Sequence, residues 1–430
     1  MKLLPARGQM YAKPQVCIVG GGMITQVQIL PSFFQLQRLG LVGEIHVCAL
    51  DSAPLRLLNW DTSLRLAFPS QRFIPHPELA ADPSEKFPDL YREVIRALPP
   101  FSIVAVAVPD HLHREVLEAA IAADQHICCV KPLVLRHSES EAIAKTAFAK
   151  GLVVGVEYHK RFDDRNLIAR RMYRQGRFGE FRLGQATLLE CWYYRHSTFQ
   201  NWCTCEHSDA FTYIGCHYVD LVHFITGLLP KAVSVYGIRD RYPNGAEGFL
   251  WTDARVIWEN DAVLNVQNAL GYPDEAPGGN FQGLRMFCQA PDGAGMIIHN
   301  DQFRGVEHCY LRRGDSPGDT IYAQPNPDYF QYVYKGGEGL EPTGYGYRSI
   351  EHIVRCILEC NRLSAACGET DALSKRQEYL RRLDSEGIVA TPTNSAYNEL
   401  VMEAGRLSIL NGGREVEITY TPAPTVRFKP

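Results

Sequence analysis

The sequence predicts an α/β protein in two parts. Residues 1–155 form an N-terminal doubly wound domain on a parallel sheet, and residues 156–430 form an α+β domain on a large, mostly antiparallel sheet. Three observations lead there. Short apolar runs alternate with helical patterns up to about residue 160, the pattern of a parallel sheet covered on both faces. Beyond that point the β segments lengthen and partly alternate, as strands with one solvated face do. The 430 residues, 46% of them hydrophobic, suffice for two packed cores.

QVCIVG (15–20) reads as the first strand, and the helix through ILPSFFQLQRLG ends at Gly40, a C-terminal glycine. EIHVCALD (44–51) is the second strand, followed by a helical stretch over 53–68, a Pro-rich connection and the amphipathic segment 86–98. SIVAVAVP (102–109) is an apolar strand, and LHREVLEAAIAAD (112–124) is helical by its apolar spacing. HICCVKP, a helix closed by Gly151, and LVVGVEYH (152–159) complete the series. The helix RNLIARRMYRQG (165–176) then leads into EFRLGQATLLECWYY, KAVSVYGIRDRY, RVIWENDAVLNVQNALGY, LRMFCQA and AGMIIHNDQFRG as β segments. Helices are predicted at 212–226, 347–365 and near 394–410, with part of 347–410 packing back on the first domain. Residues 314–346, rich in Gly, Pro and Tyr, read as an insertion or long loop.

Composition excludes some functions. With 44 Lys+Arg against 48 Asp+Glu, there is no electrostatic footprint for nucleic acid or an anionic membrane. The start lacks a leader-like apolar region, and no run of about 18 apolar residues occurs, so the chain reads as cytoplasmic. Thirteen cysteines, an odd number spread along the chain, read as reduced thiols. In NWCTCEHSD (201–209), Cys203, Cys205 and His207 lack the two-residue spacing of a zinc knuckle, so no metal is expected.

The first strand runs into GGGMIT, which supplies Gly20-x-Gly22-x-x-Thr25 ahead of a helix. Glycines there permit a tight turn and let backbone N–H groups approach a pyrophosphate at the helix N-terminus. The second strand ends in Asp51, whose carboxylate suits ribose hydroxyls and repels a 2′-phosphate, favouring NAD over NADP. The plainer alternative is a tight βα turn with a solvated aspartate.

GGGMI, AVAVPDHLH (105–113), CVKPLVL (129–135), GVEYHKRFD (155–163) and GCHYVD (215–220) follow one another in a familiar order. Over residues 15–230 the chain resembles the family named for glucose–fructose oxidoreductase, inositol 2-dehydrogenase and rhizopine-catabolism proteins. The resemblance implies a Rossmann domain that holds NAD with Gly20, Gly22, Met23, Ile24, Asp51, Pro109, His111, His113, Lys131 and Pro132. It also implies that Lys131 lies beside the nicotinamide and that His217, from a helix of the second domain, faces it. Two positions depart from the family pattern. Val130 stands where the family has a glutamate that contacts the nicotinamide ribose. Tyr213 stands where its dehydrogenases often carry an aspartate, four residues before the histidine. On a helix, Tyr213, His217 and Asp220 share one face, but a phenol with a pKa of about 10 is a poorer base than a carboxylate.

Oxidation of a secondary alcohol needs a base and a group that stabilises the developing alkoxide. Lys131, at the C-terminal end of a strand, and His217 are the expected pair, with Tyr213 and Asp220 tuning or relaying. The plainer alternatives are a snorkelling lysine, a satisfied helix histidine and an aspartate anchoring a loop. CWYYRHSTFQNW (191–202) contributes Tyr193, Arg195 and Trp202, which suit the faces and hydroxyls of a sugar, although an interface would use the same residue types. Tyr158, His159 and Lys160 end another strand and are candidates for the same cleft. The expected function is NAD-dependent oxidoreduction of a secondary hydroxyl on a sugar, glycoside or cyclic polyol. The alternatives are an NAD-dependent glycosidase working by transient oxidation and elimination, and a non-catalytic sugar or NAD sensor. A homodimer or homotetramer through the C-terminal sheet is expected.

Overall fold

The computed structural model describes residues 13–276, 279–291, 293–300, 310–313, 320–323, 326–365, 367 and 369–430. Its first sheet comprises β1 (Val16–Val19), β2 (Ile45–Cys48), β3 (Ile74–His76), β4 (Ile103–Val106), β5 (His126–Val130) and β6 (Val154–Glu157). The order is β3-β2-β1-β4-β5-β6 and every pair is parallel. Helices α1 (Leu30–Arg38), α2 (Ser52–Trp60), α3 (Thr62–Ala67), α4 (Leu90–Ala97), α5 (His113–Ala122) and α6 (His137–Lys150) connect these strands. All residues of β1 and β4 are buried, as central strands covered on both faces require.

Two elements differ from the sequence reading. The Pro-rich connection contains β3, short and at the sheet edge, where Pro75 is tolerated. The single helix expected over 53–68 is two, divided at Asp61, whose carboxyl accepts the Leu64 N–H at 2.8 Å and caps α3.

After α7 (Asp164–Arg174), the second sheet uses β7 (Glu180–Cys191), β8 (Pro230–Arg241), β9 (Glu247–Trp258), β10 (Val263–Tyr272), β11 (Phe281–Ala290) and β12 (Gly293–Asn300), with α8 (Cys216–Thr226) between β7 and β8. The chain continues through the pair β13 (Tyr310–Arg313) and β14 (Thr320–Ala323), the pair β15 (Gln331–Val333) and β16 (Glu341–Thr343), and helices α9 (Tyr345–Ala365), α10 (Glu369–Glu386) and α11 (Tyr397–Leu410). It ends in β17 (Val416–Thr419) and β18 (Thr425–Phe428), which extend the second sheet to the order β12-β11-β7-β10-β9-β8-β17-β18. Only β7 and β10 pair in parallel there. The inner face, with Leu188, Val256, Leu264 and Met286, shares a core with Val219 and Val222 of α8 and Val401 of α11.

Helix α9 crosses back to the first domain. Its Ile350, Ile353, Val354 and Ile357 share a core with Ile18 and Phe33, and Tyr379, Leu380 and Leu383 of α10 join them. Of the loop expected at 314–346, residues 314–319 and 324–325 lie outside the described residues. The part from 326 is latched to the first domain. Leu340 N–H donates to the Ala67 carbonyl at 3.0 Å, and the Tyr329 hydroxyl to Gln28 Oε1 at 2.6 Å. Among the described residues no helix is long and apolar enough to cross a membrane.

Candidate active site

The turn after β1 depends on its glycines. Gly20 has φ +116°, and a Cβ there would stand 2.1 Å from the Ala107 carbonyl oxygen, so only glycine lets the turn pass this close to β4. Gly22 faces open space, with nothing within 4 Å of a Cβ. The chain then enters α1 through a π turn at Thr25–Ile29. Thr25, at the position of a third glycine, closes the turn instead by donating its hydroxyl to the Gly20 carbonyl at 2.6 Å.

From this turn a cavity of about 1840 Å³ runs along the C-terminal ends of β1, β2, β4 and β5, past Met23, Ile24, Asp51, Pro109 and His111, to Lys131 and His217. A crevice at the point where strand order reverses, with bare backbone over Gly22 at a helix start, fits a dinucleotide. Asp51 lies at its expected place, but both oxygens are engaged. Oδ1 accepts the Ala53 N–H at 2.9 Å, and Oδ2 pairs with Lys86 at 2.5 Å. Val130 lines the cavity and offers no acceptor for a ribose hydroxyl. His113 and Pro132 lie off the cavity. The His113 ring is buried between the Pro132 carbonyl at 2.8 Å and the Val108 carbonyl at 2.9 Å, so it pins the loops after β4 and β5 together.

At the other end, Lys131 follows β5 and is 8% exposed. Its ammonium donates to the Tyr213 carbonyl and stands 3.8 Å from the centre of the Tyr213 ring. The helix expected over 212–226 begins as a π turn at Phe211–Gly215 and becomes α-helical only at Cys216. Tyr213 therefore sits in a widened turn, a feature common at functional sites. Its ring packs edge-on against Phe199 and Trp202, with centroids 5.0 and 5.3 Å away. Burial pushes the phenol well above its ordinary pKa, so the Tyr213 ring that walls the cavity beside Lys131 is neutral at pH 7.

His217 lines the cavity from the start of α8, and its Nδ1 has no hydrogen-bond partner among the described residues. Burial, with the charges of Lys131, His159 and Lys160, holds its pKa well below the ordinary histidine range. The ring is neutral at pH 7, the form able to accept a proton. Against it, centroids 4.6 Å apart, lies His159, whose Nδ1 is 3.2 Å from Glu157 Oε2. Glu157 also accepts from Gln28 Nε2 at 2.8 Å and the Ser349 hydroxyl at 2.6 Å. Sequence reasoning missed Glu157. Its signal was an acid closing the otherwise apolar strand VGVE.

Four other expected site residues lie elsewhere. Asp220 does not line the cavity. Its carboxyl is occupied by Arg161, at 2.8 and 2.6 Å, and by the Tyr397 hydroxyl at 2.8 Å, a buried clamp joining α8 to the segment after β6 and to α11. Tyr158 and Lys160 alternate with Glu157 and His159 and do not line the cavity. Tyr158 is buried in the core, and the Lys160 ammonium donates to Gln282 Oε1 at 2.6 Å. Arg195 pairs with Asp240 and the Leu270 carbonyl, each at 2.5 Å. Tyr193 and Trp202 do line the cavity, with Tyr194, Phe199 and Tyr329. No group of three His, Cys, Asp or Glu among the described residues could hold a metal ion.

A dinucleotide crevice whose far end carries a lysine and a neutral histidine defines an NAD-binding oxidoreductase of two domains. Residues 15–158 match the model of the oxidoreductase family with an NAD-binding Rossmann fold, and residues 167–277 match the GFO/IDH/MocA C-terminal domain. The chain belongs to this Gfo/Idh/MocA family, and NAD is its cofactor. It is 27% identical over 198 residues to levoglucosan dehydrogenase of Pseudarthrobacter phenanthrenivorans, covering 44% of this chain and 49% of that one. It is 28% identical over 156 residues to the NADP(+)-dependent scyllo-inositol 2-dehydrogenase of Bacillus subtilis, covering 34% and 42%. In both cases the alignment spans about half or less of the relative's length. Among solved structures, GenD2 from gentamicin A biosynthesis in complex with NAD superposes with a TM-score of 0.63 at 17% identity, covering 97% of this chain and 100% of that one. The scyllo-inositol dehydrogenase of Lactobacillus casei with NAD(H) and scyllo-inositol gives 0.58 at 14%, covering 94% and 99%. At these identities the likeness is one of fold.

Proposed function

We propose that this chain is an NAD-dependent dehydrogenase of a secondary hydroxyl on a sugar or cyclic polyol, with Lys131 and His217 bracketing that hydroxyl. One observation carries the reading: an ammonium and a neutral imidazole, whose Nδ1 has no hydrogen-bond partner among the described residues, line the same cavity as the glycine turn. NAD, when bound, supplies the hydride acceptor. Lys131, steered by the Tyr213 carbonyl and ring, stabilises the negative charge that develops on the substrate oxygen. His217 takes the hydroxyl proton on its imidazole. His159 Nδ1 is engaged by Glu157 Oε2 at 3.2 Å, which leaves its other ring nitrogen to a second substrate group. Tyr193, Tyr194 and Trp202 offer aromatic faces to the apolar side of a sugar ring. The names of the relatives, a levoglucosan and a scyllo-inositol dehydrogenase, support this substrate class.

The test is formation of NADH with levoglucosan and scyllo-inositol as probes, beside aglycone release from aryl glycosides. Net NADH is the expected product, and aglycone release without it would favour transient oxidation instead.

The proposed assembly is a homo-oligomer joined through the outer face of the second sheet. Phe287 pairs with Leu183 on one side and Met296 on the other, and the three are 45%, 51% and 52% exposed. Phe281 is exposed farther along the same face of β11, beyond Gly283 and Arg285. A second copy that covers it removes an apolar patch from water. The proposed compartment is the cytoplasm, whose reducing conditions suit the buried free thiols such as Cys17 and Cys128.

A further inference from the structure

Glu190 lies near the end of β7 and lines the cavity together with Lys131 and His217. Its carboxyl is partly covered, yet among the described residues a single donor reaches it, the Asn280 amide at 3.3 Å. The contrast with Glu157 is informative, because Glu157 has Gln28, Ser349 and His159 around it. Asn280 is held in turn. Its Oδ1 accepts from Gln282 Nε2 at 3.1 Å, and Gln282 Oε1 accepts from Lys160 at 2.6 Å. The chain of amides fixes the carboxyl on the cavity wall but leaves most of its acceptor sites to whatever fills the cavity.

A ligand that covers this carboxyl must bring donors, or it leaves a polar group buried without partners. Ring hydroxyls bring donors. A carboxylate or phosphate on the ligand brings only acceptors and negative charge. Burial raises the Glu190 pKa, opposed by the Asn280 hydrogen bond and by the charges of Lys131, Lys160 and His159.

We propose that Glu190 is a substrate-binding residue that accepts hydrogen bonds from the hydroxyls beside the reacting carbinol. The cavity therefore selects uncharged rings with vicinal hydroxyls over deoxy and acidic analogues. This rests on the dehydrogenase reading of the same site. A site built to hydrogen-bond a substrate hydroxyl discriminates against its absence far more strongly than an apolar pocket discriminates by size.

The experiment compares levoglucosan, its 2-, 3- and 4-deoxy analogues and glucuronate on wild type, Glu190→Gln and Asn280→Ala, by calorimetric titration of the NAD-loaded protein and by NADH formation. In wild type the analogue that lacks the reacting hydroxyl forms no NADH, and one of the other two deoxy analogues is expected to lose at least about 100-fold in kcat/KM. In Glu190→Gln that loss shrinks to a few-fold, with KM for levoglucosan rising more than kcat falls. Glucuronate binds weakly to wild type and gains in the variant. Asn280→Ala moves in the same direction by a smaller factor. Equal losses for every deoxy analogue in wild type and Glu190→Gln would overturn the assignment. If wild type binds the sugars but forms no NADH, the dehydrogenase reading fails while the titration still decides Glu190. Absence of binding by levoglucosan overturns the Glu190 assignment.

Discussion

An ammonium among apolar side chains needs partners, and Lys131 has a carbonyl and a π face, both from Tyr213. Lys131→Ala is expected to lower kcat/KM by about 10²–10³, the cost of removing one group aimed at a developing oxyanion. Its Kd for NAD, followed by fluorescence titration, changes far less. His217 supplies a pH signature. Its depressed pKa means that the ring takes up a proton only as pH falls well below the ordinary histidine range, so activity holds through neutrality and the acid limb of kcat/KM lies below that range. A limb near pH 7 that disappears in His217→Ala would contradict this. Asp220 has a structural task. Removing it leaves Arg161 buried and unpaired, and Asp220→Ala is expected to cost about 3–5 kcal/mol in chemical denaturation. Lys131 and His217 were singled out through the resemblance carried by CVKPLVL and GCHYVD, and the structure brings both onto one cavity. Asp220 was misread because its partner Arg161 comes from 59 residues away, which spacing along one helix does not disclose.

The strand–turn–helix unit at Gly20 shows how local pattern becomes a binding element. Gly20→Ala places a Cβ against the Ala107 carbonyl at positive φ and is expected to destabilise the whole first sheet. Gly22→Ala meets no protein atom, so its stability should remain within about 0.5 kcal/mol of the parent. Its affinity for NAD should fall roughly tenfold, because the added methyl stands on the backbone that a pyrophosphate approaches. Equal affinity in the two proteins would remove this turn from the cradle. Most of the alternating strands and helices of this region were readable, since their periods differ so much. The π turn ahead of α8 was not, because an apolar stretch of a few residues does not separate 3.6 residues per turn from a slightly wider winding. β3 escaped notice because Pro75 occupies the middle of a three-residue strand.

Across the molecule, α9 returns to the first domain while the outer face of the second sheet stays open. The alternating pattern of the long strands made that sheet predictable. The latch of residues 326–346 on the π turn before α1 and on α3 was not, since its contacts depend on Tyr329 reaching Gln28 across 301 residues. Phe287→Asp is expected to leave the fold intact and convert an oligomer to monomer in light scattering, and a monomeric parent would contradict the proposed interface. Lys131 and His217 are proposed to support net oxidation of a ring hydroxyl with NAD. Incubating the protein with NAD and levoglucosan or scyllo-inositol, and following the absorbance of the reduced nicotinamide, tests this most directly. The expected result is NADH accumulating in step with a ketone product, and its loss in Lys131→Ala. Turnover by Lys131→Ala at the parent's rate, or aglycone release from an aryl glycoside with no net NADH, would contradict it.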